Sequence, residues 1–447
     1  MDTAGKRLRL LWSDLLGLER GKYLYGDWED RGRANFCLTT LVTIHDREIL
    51  PVPGLAFDVG LPDLEATLDP SSLRAGWEPN TVVGIGDLSH AHEPLVLDPR
   101  AILRAAVEPW RAKGLEPQVA FEFEFYLLRP DGEGGWKGVH TPSSRVYGTG
   151  MAVDPEGVVN EIVDTAAACG LSIEAWCTEF DDGQYEVNIR YRDAIEAADD
   201  AFLFRLLAHE VATRRGHRAT FMGRPWPDRG GNGLHVNISF RDKQGHNALY
   251  DPKAADGLTE LARQCMAGQL AHHASSAAIL APTVNAYKRL RPDMMNGYWG
   301  NWGHDDRTVA IRISPDRGPA TRLENRVADG AANPYLAAAA LLHMSRLGVE
   351  GKMSLPDPQP RGGETVASSR IPDNLLAAVE AFERASGIAE LLAGDSELAA
   401  ACLCPYLQPQ AMAERLAALL TDDPKLQRVA ARSRELAERS FAMAGYC

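Results

Sequence analysis

Alternating polar and apolar residues mark a series of strands in the central part of the chain. In the segment 120–126 the side chains of Glu122 and Glu124 fall on one face and three phenylalanines fall on the other, because successive side chains of a strand point to opposite faces. The same alternation recurs in four further segments, 184–191, 234–240, 308–313 and 321–327. The large apolar faces predict a sheet that is packed from behind and presents its polar face to solvent or a ligand.

The polar faces of these strands are dominated by carboxylates, arginines and one imidazole. Their members are Glu122, Glu124, Glu186, Asn188, Arg190, His235, Asn237, Ser239, Arg312, Arg322, Glu324 and Arg326, with Arg307 just before its strand. A solvated outer face is the alternative interpretation of any one strand, but such faces usually carry lysine, threonine, serine and glutamine. Crowded carboxylates repel one another unless cations lie between them, and glutamate with imidazole suits Mg²⁺ or Mn²⁺. Because guanidinium groups bind phosphate and carboxylate, the faces together predict phosphoryl transfer onto a carboxylate.

The patterns of strands and helices divide the chain into two predicted domains. Short strands separated by turns are predicted at 35–44, 54–58 and 81–87. Asp98 followed by Pro99 predicts the start of a helix, so we place an N-terminal domain at 1–97 and a second domain at 98–447. Long helices are predicted at 155–169, 194–215, 254–280 and 334–347. The irregular alternation of strands with helices indicates an α+β fold.

Composition excludes several classes of partner. The 447 residues carry a formal net charge of −14, which disfavours nucleic acid because binding to its phosphates needs concentrated lysine and arginine. The seven cysteines are scattered without a C-x-x-C pair, as in proteins with reduced thiols. The most apolar run, 335–344, is too short to span a membrane. We therefore expect a cytoplasmic protein that acts on small molecules, without nucleic-acid or membrane partners.

Six segments resemble the glutamine synthetase family, including its γ-glutamyl-amine ligase branch. They are Phe121–Tyr126, Glu179–Asn188, Gly231–Val236, Asn285–Leu290, Arg307–Arg312 and Arg322–Tyr335. They follow the order of the family, whereas the tail from about residue 398 does not resemble it. The resemblance implies a small β-grasp-like N-terminal domain and a catalytic domain with a curved antiparallel sheet lined by helices. It also implies a homo-oligomer built of rings, commonly a dodecamer.

The resemblance implies two divalent-metal sites beside ATP, for two or three Mg²⁺ or Mn²⁺ ions. The ion near glutamate and the acceptor would be held by Glu124, Glu179 and Glu186, and the ion on the ATP phosphates by Glu122, His235 and Glu324. The implied glutamate ligands are Arg289, Arg326 and Gly231. The implied catalytic residues are Arg307, which would stabilise the transferring phosphoryl group, Arg326 and Glu324. The implied nucleotide ligands are Arg312, Arg322 and Tyr147.

One position departs from the members of the family that form glutamine. Their ammonium-binding glutamate is replaced by Met295, whose thioether cannot accept the proton of an ammonium ion. Met294, Tyr298, Trp299 and Trp302 also make this stretch apolar, and we expect these residues and Met295 to line a pocket for an alkyl or aryl amine. Packing in the core is the alternative interpretation of the stretch. Smaller departures are Asn237 in place of a second histidine and Gly230 in place of a common asparagine.

These observations leave three hypotheses about function. The leading one is an ATP-dependent ligase that joins the γ-carboxylate of L-glutamate to an organic amine through γ-glutamyl phosphate. The second is a glutamine synthetase that uses ammonium, with Asp293, Asp305 or Asp306 as the missing base. The third is a catalytically inactive relative with a structural role, which is disfavoured because all six predicted metal ligands are present.

Overall fold

The computed structural model describes residues 5–28, 32–44, 47, 49, 52, 54–292, 294–385 and 391. These residues form two β-sheets with helices packed on them, which confirms the predicted α+β class. The predicted boundary at 98 falls between the last strand of the first sheet and the first long helix. The tail from about 398 lies outside the described residues. Within these ranges, no helix combines the length and the apolar character that crossing a membrane requires.

The first sheet has seven strands among the described residues and belongs to the N-terminal part of the chain. Its strands are β1 (Arg7–Ser13), β2 (Glu19–Leu24), β3 (Arg33–Cys37), β4 (Asp63–Leu68), β5 (Arg74–Ala75), β6 (Thr81–His90) and β7 (Glu93–Pro94). They lie in the order β2-β1-β6-β4-β3, with β5 and β7 also paired to β6. The β1–β6 pair is parallel and the other pairs are antiparallel. Leu8 and Leu10 of β1 are fully buried and anchor the sheet in the core.

Two of the predicted N-terminal strands are corrected by the structure. The segment 35–44 is extended only as far as Cys37 and then continues as a 3₁₀ helix. The segment 54–58 is a turn that leads into a short 3₁₀ helix, Phe57–Val59, and the carboxylate of Asp58 accepts a hydrogen bond from the backbone N–H of Gly54 at 2.7 Å. Gly54 has a φ of 78°, in the left-handed region that glycine adopts without a steric penalty.

The second sheet has nine strands in the described part of the chain and contains the alternating segments. Its strands are β8 (Glu116–Pro130), β9 (Trp136–Gly138), β10 (Ile173–Thr178), β11 (Gln184–Asp193), β12 (Arg218–Thr220), β13 (Leu234–Arg241), β14 (Trp302–His304), β15 (Ile311–Ile313) and β16 (Leu323–Asn325). They lie in the order β10-β11-β8-β13-β16-β15-β14, with β9 and β12 also paired to β8. The sheet is antiparallel as predicted, except for the parallel β14–β15 pair.

Helices cover the sheets and connect their strands. The helices are α1 (Pro99–Ala112), α2 (Val158–Ala168), α3 (Ala194–Arg214), α4 (Glu260–Ala271), α5 (Ala277–Leu280), α6 (Ala286–Arg289), α7 (Pro334–Glu350) and α8 (Leu375–Glu383). α1 begins as predicted, since the carboxylate of Asp98 accepts the backbone N–H of Arg100 at 2.9 Å. The predicted extent of the helix 254–280 is wrong, because Thr259 caps α4 by accepting the N–H of Ala262 at 3.2 Å and a turn then separates α4 from α5.

The apolar face of the second sheet packs on α3. The ring of Phe123 in β8 lies 5.7 Å from that of Phe204 in α3 and 5.4 Å from that of Phe221, measured between centroids. All three rings are fully buried. Since each such ring removes roughly 150–250 Å² from water, this packing supports β8 firmly from behind. Its opposite face is left for polar side chains.

An ion network centred on the buried side chains of Arg100 and Asp199, here called the junction cluster, joins the first sheet to the helices. It consists of Arg100, Asp69, Asp87, Asp199 and Tyr335. The guanidinium of Arg100 donates to both oxygens of Asp199 at 2.9 Å and to Asp87 at 2.7 Å, and it lies 2.8 Å from Asp69. Tyr335 donates its hydroxyl proton to Asp199 at 2.8 Å. Because Asp87 lies in β6 and Asp199 in α3, the cluster fixes the two parts of the chain to each other.

Candidate active site

Neighbouring strands bring several predicted metal ligands onto one face of the second sheet, here called the carboxylate face. β8 pairs with β13 so that Glu122 lies opposite His235, and with β11 so that Glu124 lies opposite Glu186. β16 adds Glu324 from the other side of β13. Like charges directly opposite each other destabilise a sheet. The strand register therefore concentrates negative charge on this face, which a bound cation would offset.

The ligand atoms of the carboxylate face form two compact groups that share His235. One group joins Glu122, His235 and Glu324, and the other joins Glu124, Glu186 and His235; within each group one ligand atom per residue lies within 4.8 Å of the others. His235 Nδ1 is 3.4 Å from Glu122 Oε2, and His235 Nε2 is 3.5 Å from Glu124 Oε1. The imidazole is 3% exposed, and its Nε2 makes no hydrogen bond to any described residue. A buried nitrogen without a hydrogen bond suits a metal ligand.

Burial and repulsion shift the ionisation of these groups. Burial, followed by the neighbouring carboxylates, raises the pKa of Glu186 to about 8. Burial, followed by the charge of Glu124, raises the pKa of Glu179 to about 7. Burial, followed by the charge of Arg326, lowers the pKa of His235 to about 3, so that its imidazole is neutral. Repelling carboxylates around a neutral imidazole fit a divalent cation, although Glu179 belongs to neither compact group.

Both oxygens of Glu324 are engaged by arginines. Arg326 donates to Oε1, and Arg312 donates to Oε2 at 2.7 Å. Nη1 of Arg326 also lies 3.4 Å from Nδ1 of His235. The structure therefore brings these two predicted arginines directly beside the carboxylate face, where guanidinium groups can bind phosphate or carboxylate.

Arg289 lies against a glycine-containing loop, residues 230–233, here called the glycine loop. Its buried guanidinium donates to two backbone carbonyls at 3.0 and 3.1 Å. Burial lowers the pKa of Arg289 below its usual value. A Cβ at Gly231 would lie 2.8 Å from Arg289 Cγ, and one at Gly233 would lie 2.6 Å from Arg289 Nη2. The close approach of the loop to this side chain thus requires glycine at both positions.

The remaining predicted phosphate and nucleotide ligands lie nearer the surface. Arg307 is exposed, and its positive charge opposes the rise in the pKa of Glu179. Arg322 donates from Nε to Asn237 Oδ1 at 3.2 Å, which connects it to the carboxylate face. Tyr147 is 68% exposed and has a φ of 56°, which is uncommon for a residue other than glycine.

The predicted amine-pocket residues differ in how accessible they are. Met295 is 51% exposed. Trp299 is half-buried, with its ring edge-on to Tyr298 at a centroid distance of 4.9 Å. Trp302 is 3% exposed, and its indole N–H donates to the carbonyl of Pro356 at 2.7 Å. Core packing is therefore the observed environment of Trp302, whereas Met295 and Trp299 keep surface that a ligand can reach.

Two asparagines hold carboxylates in place, and the sequence analysis did not assign them this role. Asn237 Nδ2 donates to Glu122 Oε1 at 2.8 Å, and Asn188 Nδ2 donates to Glu186 Oε1 at 3.0 Å. Strand alternation puts Asn188 on the same face as Glu186, so the sequence could have predicted their contact. The contact of Asn237 depends on the register between β13 and β8, which alternation alone does not define.

Comparison with known proteins agrees with this fold. Residues 96–398 match the catalytic domain of glutamine synthetase. Glutamate–isopropylamine ligase of a Pseudomonas species is 34% identical over 318 residues, which cover 69% of each chain. Gamma-glutamylethanolamide synthetase GlnA4 of Streptomyces coelicolor is 32% identical over 368 residues, which cover 79% of this chain and 78% of that protein. The solved structure of GmaS without ligand has a TM-score of 0.76 and 30% identity, and the match covers 89% of this chain and 91% of that one.

The matched domain contains every predicted metal ligand, from Glu122 to Glu324. A catalytic domain of this kind uses ATP and a divalent metal, and the two compact groups of ligand atoms are candidate positions for the metal. On the strength of the match over most of its length, the chain belongs to the glutamine synthetase family and is an ATP-dependent carbon–nitrogen ligase.

Proposed function

We propose that the protein joins the γ-carboxylate of L-glutamate to an organic amine, alkyl or aryl, at the expense of ATP. The observation that carries this proposal is Met295, which is exposed at the position where the resemblance places the ammonium-binding glutamate of glutamine-forming enzymes. The Pseudomonas and Streptomyces relatives are named for isopropylamine and for an ethanolamide. Both names describe amides of organic amines and support an organic acceptor for this chain.

The backbone around Met295 is anchored close to a proposed glutamate ligand. Asn296 donates from its side chain to the carbonyl of Arg289, and its Oδ1 accepts the N–H of Tyr298 at 3.1 Å. Met295 is thus accessible on a segment tied to Arg289. An accessible apolar side chain at a fixed position suits contact with the hydrocarbon part of an amine.

We further propose that the carboxylate face binds two or three Mg²⁺ or Mn²⁺ ions. The proposed ligands are Glu124, Glu179 and Glu186 for one ion and Glu122, His235 and Glu324 for another. Oxygen ligands with a single imidazole suit these ions better than a thiolate-seeking metal. When bound, such ions neutralise phosphate charge and orient the reacting oxygens.

The proposed reaction has two steps. Arg289, Arg326 and the glycine loop hold glutamate while an oxygen of its γ-carboxylate attacks the γ-phosphorus of ATP and ADP leaves. Arg307 offsets the negative charge of the transferring group, and Arg312 and Arg322 bind the other phosphates. The amine nitrogen then attacks the carbonyl carbon of γ-glutamyl phosphate, the acyl–oxygen bond breaks, phosphate leaves and the nitrogen loses a proton. Water has to be excluded, because it would hydrolyse the acyl phosphate.

Two of the three aspartates that could replace the missing base, Asp305 and Asp306, are already engaged, which favours an amine that arrives neutral. Asp305 accepts a hydrogen bond from Arg312 at 2.8 Å, and this contact lowers the pKa of its carboxyl. Asp306 accepts the N–H of Thr308 at 2.8 Å and also its hydroxyl proton. Asp293 lies outside the described residues. An arylamine such as aniline is largely neutral near pH 7 and needs no carboxylate to take its first proton, whereas an alkylamine such as isopropylamine is protonated and has to lose that proton before it attacks.

We also propose a cytoplasmic homo-oligomer. The ring architecture, with twelve subunits as the expected number, rests on the family resemblance. Cys37, Cys169, Cys177 and Cys265 are free thiols, which suits a reducing compartment. Analytical ultracentrifugation of the full chain tests the assembly, and a stable monomer would contradict it.

Steady-state phosphate release tests the choice of acceptor. The assay contains glutamate, ATP and Mg²⁺ with ammonium, isopropylamine, ethanolamine or aniline, and mass spectrometry identifies the amide. We expect at least one organic amine to exceed ammonium in kcat/KM by about tenfold or more. Ammonium as the best acceptor would instead favour a glutamine synthetase. Absence of release with every amine, in Mn²⁺ as well as Mg²⁺, would favour the inactive relative.

Substitution of Met295 tests whether this residue determines the choice between ammonium and an organic amine. Met295→Glu restores a carboxylate, so we expect the ratio of kcat/KM for ammonium over the best organic amine to rise about tenfold. Met295→Leu keeps an apolar side chain of similar volume and is the matched control, which should retain the original preference. An unchanged ratio in Met295→Glu would remove this residue from the acceptor site.

A further inference from the structure

The glycine loop is held by side chains that have no part in the proposed reaction. Asp181 lies in the turn between β10 and β11, and its Oδ2 accepts a hydrogen bond from the backbone N–H of Gly230. Tyr126 of β8 places its hydroxyl 3.0 Å from Asp181 Oδ2 and 3.0 Å from the carbonyl oxygen of Gly230. Gln184 of β11 donates from Nε2 to the carbonyl of Gly231 at 3.0 Å. Tyr126 of β8, Gln184 of β11 and Asp181 in the turn between β10 and β11 thus hold Gly230 and Gly231, the first half of the loop.

The side chain of Tyr126 gives this arrangement a rigid base. Tyr126 is fully buried, and its ring packs edge-on against Trp226 at a centroid distance of 5.1 Å. A buried hydroxyl needs a hydrogen-bond partner, and here it has both Asp181 and Gly230. The position of Asp181 is therefore determined by a group that cannot move without disturbing the core.

Asp181 and Gly230 also fit each other sterically. A Cβ at Gly230 would lie 2.8 Å from Asp181 Oδ2 and 3.1 Å from Gln184 Oε1. The asparagine that is common in the family at position 230 would displace one of these side chains or the loop. In this chain position 230 has no side chain, and the carboxylate of Asp181 lies where the side chain of an asparagine would be.

We propose that Asp181 is a positioning residue for L-glutamate, which acts by holding the Gly230–Gly231 peptide in a fixed orientation against Arg289. The proposal rests on the proposed function, in which Gly231 and Arg289 bind glutamate. A carboxylate that accepts a backbone N–H makes one of the stronger hydrogen bonds of a protein. Loss of this bond frees the loop to rotate away from Arg289. Binding of glutamate weakens as a result, while binding of ATP at the far side of the carboxylate face is unaffected.

The test compares Asp181→Ala with Asp181→Asn and with a matched neighbour. The amide oxygen of asparagine can accept both bonds, so Asp181→Asn should keep the glutamate KM of the parent. For Asp181→Ala we expect the KM for glutamate to rise about tenfold, with the KM for ATP changed less than about twofold. Asp182→Ala is the control, because Asp182 accepts the N–H of His140 at 2.9 Å and has no contact with the glycine loop among the described residues.

Calorimetric binding of L-glutamate and thermal unfolding accompany the kinetics. If Asp181→Ala proves unstable, Tyr126→Phe removes one bond to the same carboxylate and should raise the glutamate KM by a smaller factor. A glutamate KM unchanged in both Asp181→Ala and Tyr126→Phe would overturn the proposal, and so would an equal rise in the KM values of glutamate and ATP. Failure of the parent chain to bind glutamate at all would refute the proposed function instead, which is a different outcome.

Discussion

The protein contains two clusters of charged side chains, and they differ in whether every carboxylate contacts a guanidinium of the chain. In the junction cluster the guanidinium of Arg100 contacts the carboxylates of Asp69, Asp87 and Asp199, and Arg104 also pairs with Asp69 and Asp87. On the carboxylate face, by contrast, Glu124 and Glu186 lie opposite each other on neighbouring strands. Burial of charge alone therefore does not distinguish a structural network from a site. The informative difference is that one cluster has its partners within the chain and the other needs ions from outside.

Removal of a charge should accordingly have opposite consequences in the two clusters. In the junction cluster, removal of the charge of Arg100 leaves the buried carboxylate of Asp199 without a counter-charge, which costs stability. On the carboxylate face it relieves repulsion, which leaves stability intact but removes a ligand.

Arg100→Met should cause the largest loss of stability. The side chain of Arg100 is 4% exposed, and its removal leaves Asp199 buried without its cation. We expect the free energy of unfolding in urea to fall by about 3–5 kcal/mol. Arg104→Met is the matched control: Arg104 pairs with Asp69 and Asp87 but is 35% exposed, so its loss should cost less than about 1 kcal/mol. Equal losses for the two arginines would show that the junction cluster is not a buried network.

Glu186→Gln should abolish most activity without unfolding the protein. It preserves the shape of the side chain but removes a proposed metal ligand, so we expect kcat to fall about 10²–10³-fold. The free energy of unfolding should change by less than about 1 kcal/mol, because a repelled carboxylate contributes little to stability. Glu116→Gln, at the start of β8 and paired with Arg111 at 2.9 Å, should leave kcat unchanged. Normal activity in Glu186→Gln would remove this residue from the site.

Asn237→Ala should have the smallest effect of the three. Asn237 connects Glu122 to Arg322 without being a proposed ligand itself. Loss of such a supporting contact typically weakens metal affinity or activity by about tenfold at the low end. We expect the concentration of Mn²⁺ that gives half-maximal activity to rise by about that factor. Asn237→His introduces the residue that is common in the family. If the bridge from Asn237 to Arg322 matters, this variant should need a different Mn²⁺ concentration for half-maximal activity than Asn237→Ala does. The same concentration for both variants would exclude a role for the bridge.

The carboxylate face could be predicted from the sequence because strand alternation is a local property. The positions of Glu122 and Glu124 relative to their neighbouring phenylalanines follow from the two-residue period of β8 alone. The start of α1 is equally local, since Asp98 and Pro99 carry its signal. By contrast, β2 is almost entirely polar and exposed, so no apolar period marks it as a strand. It exists because β1 pairs with it at the edge of the sheet.

Contacts that depend on pairing across the chain could not be predicted. The hydrogen bond of Asn237 to Glu122 requires the register of β13 on β8, and that of Asp181 to Gly230 requires two loops to meet. The environment of Trp302 could not be predicted either, because an apolar residue near a site can face either the ligand or the core. Only the contact of its indole with Pro356 distinguishes the two environments.

We propose that the carboxylate face binds divalent cations, and a count of the Mn²⁺ ions bound to each chain is the most direct test of this proposal. Electron paramagnetic resonance of free Mn²⁺ during a titration gives the number of ions bound to each chain, independently of catalysis. The account predicts two tightly bound ions in the parent protein and one fewer in Glu186→Gln, with Glu116→Gln equal to the parent. A parent protein that binds no Mn²⁺, or a Glu186→Gln variant that binds as many ions as the parent, would contradict it.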